Sequence, residues 1–429
     1  SPKEVLLFHM SSRSKKITKS QWSWAFYDWA NSAFATTVMA GFFPIFFKEY
    51  WAAGMEGSES TFYIGSINSI VGLFIAFIAP ILGAYADIGG YRKNFLGFFA
   101  VIGILATAYL FFIPGGDWFT ALIFYGLGVI GFSGGNIFYD SLIVTVSEEK
   151  ERNKVSSLGF SLGYLGGGIL FVLNVLMYLN PDWFGLNSST DAILYSFLSV
   201  AIWWGIFSIP VFKNVKDPFQ GEKKSLVTVS KESIISVIST IREIKKYKSA
   251  ALFLLSYWLY MDGVDTIVRM ATSYGSDIGL SASSMITALI LTQFVGFPAT
   301  LIFGMYADRI GYKRALSIGI LIYIFVTIYG SMIDSATGFF ILAGVIGLVQ
   351  GGVQAISRSF FSNLIPQDRS AEFFGFYNLI GKSAVIVGPF LVSGVALLMS
   401  EPRYGILSLL ILFIPGLILL WLVPEKDNS

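Results

Sequence analysis

The chain contains no cysteine, and its single histidine is His9, among 429 residues. Disulfides, thiolate chemistry and cysteine-ligated metals are therefore excluded, and there is no histidine cluster to hold a metal or act as a base. Charge is also scarce. Charged residues make up 13% of the chain, about half the ~25% of soluble proteins. That scarcity excludes a soluble enzyme, a nucleic-acid binder and a disordered chain. What is abundant is apolar: 55% hydrophobic residues, 40 Phe and 44 Gly, with a mean hydropathy of +0.68. Such a composition belongs in lipid. The N-terminal SPKEVLLFHM has an apolar run too short for a signal-peptide core.

A membrane-crossing helix needs about 20 mostly apolar residues. Twelve stretches qualify, near 24–49, 61–86, 94–113, 118–146, 155–179, 191–212, 249–273, 281–306, 315–333, 337–363, 371–399 and 403–423. The predicted fold is thus an all-α membrane protein of twelve transmembrane helices. Of the 29 basic residues, 24 fall in the tails and the even-numbered loops, and the opposite loops hold only Lys48 and Arg403. By the positive-inside rule both termini face the cytoplasm. The predicted divisions are an N-terminal tail (1–21), a six-helix bundle (22–212), a linker (213–248), a second bundle (249–424) and a C-terminal tail (425–429). In the linker, Ile234, Val237, Ile238, Ile241 and Ile244 recur at helical spacing among charges. They predict an amphipathic helix on the membrane surface, a tether between bundles or a regulatory docking site.

The two bundles repeat each other. GAYADIGGYRK (83–93) matches GMYADRIGYKR (304–314), Asp28 and Asn31 answer Asp262 and Asp265, and Gly134-Gly135 answers Gly351-Gly352. Paired halves are a mark of secondary transporters.

These residues resemble a known family. Gly83, Asp87 and Arg92, and more fully Gly304, Asp308, Arg309 and Lys313, are similar to the loop motif of the major facilitator superfamily. The first copy has Ile88 where the superfamily usually has a base, so Asp308 is weighted above Asp87. The stretch WAFYDWANSAFATTV (24–38) resembles the first helix of the branch of the autophagy-related vacuolar amino-acid effluxer, in a bacterial-type form. The resemblance implies two pseudo-symmetric bundles, alternating access and a cytoplasmic gate at the two motifs. Amino-acid efflux belongs to one arm of that branch.

At least seven ionisable residues fall inside spans: Asp28, Asp140, Asp262, Asp265, Arg269, Arg358 and Lys382. Each would cost about 2.5–3.5 kcal/mol at mid-bilayer, so they must pair or line a wet cavity. Counting ~1.5 Å per residue from flanking charges puts most of them between the cytoplasmic shoulder and the midplane. Asp265 and Arg269, at i,i+4, read as an intrahelical pair. Arg358 and Lys382 read as holders of a substrate carboxylate, and Asp28 or Asp262 as holders of an amine. Alternatively Arg358 neutralises Asp140 as a gate. Tyr27 and Tyr260 are candidate walls of the cavity, and Trp22 and Trp24 read as interfacial anchors. Asp28, Asp140 and Asp262 are the candidate proton carriers.

The expected function is a secondary active transporter of a small polar, zwitterionic solute, with protons as candidate coupling ion. A lipid flippase or a facilitative channel on the same fold is the alternative. No metal, cofactor or nucleic acid is expected. The expected surroundings are membrane lipid of the bacterial inner membrane, and the expected state is a monomer.

Overall fold

The computed structural model describes residues 16–55, 57–217, 219, 221, 224–277, 280–399 and 402–424. Some helical side chains lie outside the description, including 269–277 and 382–386. Every regular element among the described residues is helical. Water is absent from a bilayer core, so a helix is the form in which one segment satisfies its own backbone there.

The long helices are α1 (Lys19–Ala33), α2 (Gly57–Gly89), α3 (Arg92–Tyr109), α4 (Trp118–Ser141), α5 (Arg152–Leu179) and α6 (Ser189–Asn214), followed by α7 (Leu226–Arg242). After it come α8 (Lys248–Asp277), α9 (Ala282–Ile310), α10 (Tyr312–Gly330), α11 (Ala336–Leu364), α12 (Ser370–Met399) and α13 (Leu410–Leu422). Eleven stretches among the described residues are long and apolar enough to cross a membrane. The expected span 371–399 is not one of them; there α12 runs unbroken for 30 residues around Pro389. Within the linker, α7 carries Ile234, Val237, Ile238 and Ile241, whereas Ile244 lies beyond its end in a separate 3₁₀ turn.

Local chemistry explains the ends. Thr18 and Gln21 close a capping box on α1, and Ser225, Ser281 and Ser335 cap α7, α9 and α11. Beyond Ala33 the first span does not stay α-helical. It is π-wound over Phe34–Phe42 and again over Phe47–Trp51. Long π-wound stretches are rare.

Among α1–α6, α1 packs on α5 and α6, and α3 packs on α4. Among α8–α13, α9 packs on α11, and α8 packs on α12 and α13. The two sets meet where α2 packs on α12 and α5 packs on α9 and α11. These contacts need small residues. A Cβ at Gly83 would collide with the backbone of Ala371 and Glu372, and one at Gly375 with that of Ala79. A Cβ at Gly304 would collide with the Ser157 side chain. The glycines of both repeated motifs therefore mark places where one set touches the other.

Candidate functional site: a buried arginine between the two sets

Arg358 lies on α11, and its side chain crosses to the other set. Its Nη1 donates to Asp140 on α4 at 2.9 Å and lies 3.7 Å from Asp28 on α1. Its Nε donates to the Ser156 hydroxyl at 3.0 Å and its Nη2 to the Ser156 carbonyl at 3.0 Å, both on α5. Aromatic rings box the guanidinium: Phe160 at 4.1 Å, Trp24 at 4.8 Å and Tyr139 at 5.4 Å. The side chain is 3% exposed. A planar, permanently charged fork suits this cradle; a lysine would use neither the stacking nor the paired donors.

The acids are held in turn. Asp28 accepts from Ser32 at 3.2 Å and from the Tyr139 hydroxyl at 3.4 Å. The Trp24 Nε1 donates to the Tyr139 carbonyl at 2.8 Å, and the two rings stack 4.4 Å apart. Trp24 is therefore fully buried and is not the interfacial anchor the sequence predicts, whereas Trp22 is exposed. Aromatic density near a chain end looks like a belt in sequence, but Trp24 faces inward beside the buried charge.

The other expected residues are distributed as follows. Asn31 donates to Asn136 at 2.7 Å, within its own set. Tyr27 is buried against Tyr139 with its hydroxyl unbonded. Tyr260 is buried and shares a 2.7 Å hydrogen bond with Ser357. Asp262 is buried on α8 and accepts from the Gly388 amide at 2.9 and 3.0 Å and from Thr266 at 3.3 Å. Asp265 lies nearby, half-buried. The side chains of Arg269 and Lys382 lie outside the described residues. The structure thus brings Asp28, Asp140 and Arg358 into one cluster, with Asp262 in a different one.

A second group of bonds joins the sets at the face that carries the basic loops. Asp87 accepts from Arg92 at 2.7 Å and from the backbone amides of Ala371 and Glu372 at 3.1 and 2.8 Å. Those amides are unpaired donors of the first turn of α12, where a carboxylate is favoured. Arg92 also donates to the carbonyls of Gln367 and Asp368. In the second copy, Asn153 donates to Asp308 at 2.9 Å and to the Gly304 carbonyl at 2.8 Å. Asp308 and Arg309 are exposed, so the larger set of cross-set bonds is on Asp87. Lys313 does not gather around Asp308. Its Nζ donates to the carbonyls of Trp421 and Val423, as Lys93 does to Val215. Each of these lysines caps the last helix of its own set.

Sequence reasoning missed Ser156, Phe160 and Tyr139, which build the arginine cradle, and Arg152, which donates to Ser362 and Asn363 across the sets. It also missed Arg369 and Glu372. Glu372 is 1% exposed and accepts from Ser236 at 2.7 Å and Thr240 at 2.5 Å on α7. Arg369 donates to Glu372, Ser236, Thr240 and Tyr247. Burial opposes the Arg369 charge, but Glu372 holds its pKa above the ordinary value. Conflicting charge and burial near 370 is a signal only structure supplies.

Comparison with known proteins agrees with this architecture. The family described as "Vacuole effluxer Atg22 like" matches residues 53–145 and 143–428. The "Uncharacterized MFS-type transporter YxiO" of Bacillus subtilis is 41% identical over 97% of both chains. Autophagy-related protein 22-2 of Aspergillus clavatus is 25% identical over 65% of this chain, and the match spans about half of the fungal protein, 48%. Among solved structures, the proton:xylose symporter XylE of the major facilitator superfamily superposes with a TM-score of 0.70 at 14% identity, covering 95% of each chain. That likeness is one of fold. The relatives and structural neighbours are transporters rather than enzymes. With its membrane-crossing helices, its cross-set arginine and these matches, the chain belongs to the Atg22-like family of major facilitator superfamily transporters.

Proposed function

We propose that this transporter is secondary active and works by alternating access, with two six-helix bundles, 22–212 and 249–424, rocking about a central site. The observation that carries the reading is Arg358. Its ion-pair partners Asp140 and Asp28 sit in the opposite bundle, so the pairs last only while the basic face is closed. Opening that face strands a buried cation and two carboxylates. Such a state is tolerable when something else neutralises them. A zwitterionic solute does so: its carboxylate meets Arg358 and its amine meets Asp28 or Asp140. Amino acids and their small derivatives are the substrate class with that chemistry. Protons compete for the same carboxylates, so Asp28, Asp140 and Asp262 are the proposed coupling residues. Lys382, Asp265 and Arg269 belong to the same proposed pathway. Asp87, with Arg92, is the main cytoplasmic latch and Asp308 the lesser one. The transporter is a monomer of the bacterial inner membrane with both termini in the cytoplasm.

The test has two stages. Purified protein is screened for thermal stabilisation by amino acids, their amides and their N-acyl forms, because a ligand stabilises by mass action. Zwitterions should stabilise and the blocked forms should not. Uptake into proteoliposomes is then measured with and without a pH gradient. Indifference to every amino acid in folded protein sinks the substrate assignment. Undiminished turnover after crosslinking α2 to α12 at the basic face sinks alternating access.

A further inference from the structure

The linker helix α7 has three distinct faces. Val229, Ser233, Val237 and Thr240 are buried against the protein. On a second arc, Glu232 and Glu243 pair with Lys224 and Lys246, each at 2.6 Å. The third arc faces outward. It carries Val227, Ile234, Ile235, Ile238 and Ile241, which are between 44% and 80% exposed. At helical spacing Lys231 and Arg242 fall within this arc and Lys245 follows the helix, all exposed. The two glutamates fall outside this arc, about 60–80° beyond Ile235. Isoleucines held out among cations suit the head-group zone of a bilayer rather than water. The chain position agrees: α7 ends at Arg242 and the next membrane crossing begins at Ile244.

The same helix touches both bundles. It packs on α2 of the first, while its Ser236 and Thr240 bond Glu372 at the base of α12 in the second. Those two helices cannot part at this face without α7 giving up one of them.

We propose that the outward arc of α7 is a binding surface for acidic phospholipid head groups of the adjacent leaflet, and that their binding favours the closed basic face. Lipid that holds α7 in the membrane plane keeps Ser236 and Thr240 on Arg369 and Glu372 and keeps the buried arc on α2. The choice of acidic lipid follows from Lys231, Arg242 and Lys245 and from the absence of acids on this arc. The coupling to closure rests on the gate proposed above; the lipid surface does not.

The experiment uses the full chain in nanodiscs of phosphatidylcholine, with or without about a third phosphatidylglycerol. Amide exchange across 226–242 is followed in both. Each basic residue near an acidic surface contributes about fivefold. Exchange should slow by at least about tenfold in the acidic discs, and the difference should vanish in ~0.5 M salt. The variant Lys231→Gln/Arg242→Gln/Lys245→Gln removes only exposed charge and should lose the response. Equal exchange in both discs, or an undiminished response in the triple variant, overturns the lipid surface. Spin labels on cysteines at Asn94 and Arg314 then report the gate. Acidic lipid should enlarge the short-distance population in the parent and not in the triple variant. Exchange that responds while the distances do not overturns the coupling alone. Labels that show no closed population in any lipid overturn the gate and the coupling together.

Discussion

Replacing Arg358 with glutamine tests the central cluster most directly. The substitution removes a 2.9 Å bond to Asp140, a 3.7 Å contact to Asp28 and two 3.0 Å bonds to Ser156. It leaves the buried Asp28 and the half-buried Asp140 without their counter-ion. Removing one partner of a buried pair costs about 3–5 kcal/mol. Because the contacts cross between the two sets of helices, the proposed alternating access places that cost on the closed state, and ~3 kcal/mol shifts a conformational equilibrium by about a hundredfold. Asp140→Asn should cost less, since Arg358 keeps Asp28. Asp28→Asn should cost least, because the ratio of distances makes the attraction to Asp140 about a quarter stronger. The assay is a double-mutant cycle of Asp140→Asn and Arg358→Gln. It is read by thermal unfolding and by spin-label distance across the basic face. The native chain has no cysteine to remove. A coupling of about 1–3 kcal/mol is expected. Additivity within ~0.5 kcal/mol, with the closed population unchanged, would refute the claim that this pair holds the two sets of helices together.

Three further outcomes are expected. Gly83→Ala drives a Cβ into the rigid backbone of Ala371 and Glu372, whereas Gly304→Ala meets the movable Ser157 side chain. The first should open the basic face to a thiol reagent at nearby engineered cysteines and the second should do so much less; equal effects would contradict the packing. Asp87→Asn weakens its bonds to Arg92 and to two backbone amides, while Asp308→Asn disturbs chiefly a bond to Asn153. Spin-label distances should therefore move further in Asp87→Asn. A cysteine at Ser225 should stay unreactive to an impermeant reagent applied outside intact cells, and labelling there would invert the proposed topology.

Much of this was legible in the sequence because it is written in local signals. Apolar runs, loop charges and the two copies of Gly-x-x-x-Asp are each contained in a short window. The isoleucine spacing of α7 is equally local. The content of the site is not. Arg358 and Asp140 stand far apart in the chain, with no periodicity linking them, and a buried cation can be matched with several acids until its rotamer is known. Trp24 looked like a belt residue because composition cannot say which side of a helix faces lipid. Lys313 looked like part of a gate because its sequence neighbour is Asp308, yet its long side chain reaches instead to the end of α13. Nothing near Arg369 and Glu372 in the chain marks them as partners of Ser236 and Thr240 on α7.

The winding of the first span has a consequence for reading variants. Phe34, Val38, Phe43, Phe47 and Trp51 are all fully buried, and Phe43 stacks on Tyr125 at 3.9 Å. An α-helix, turning ~100° per residue, would scatter these five around about 220° of its circumference and send some to lipid. The wider turns of the π-wound stretches gather them on one side. A helical wheel drawn with the usual period therefore misassigns this segment, classing core rings as membrane-facing. Loss of one residue between Phe34 and Phe42 would do more than shorten the helix: it would rotate the downstream part of the ladder, Phe43, Phe47 and Trp51, away from the partners it now packs against.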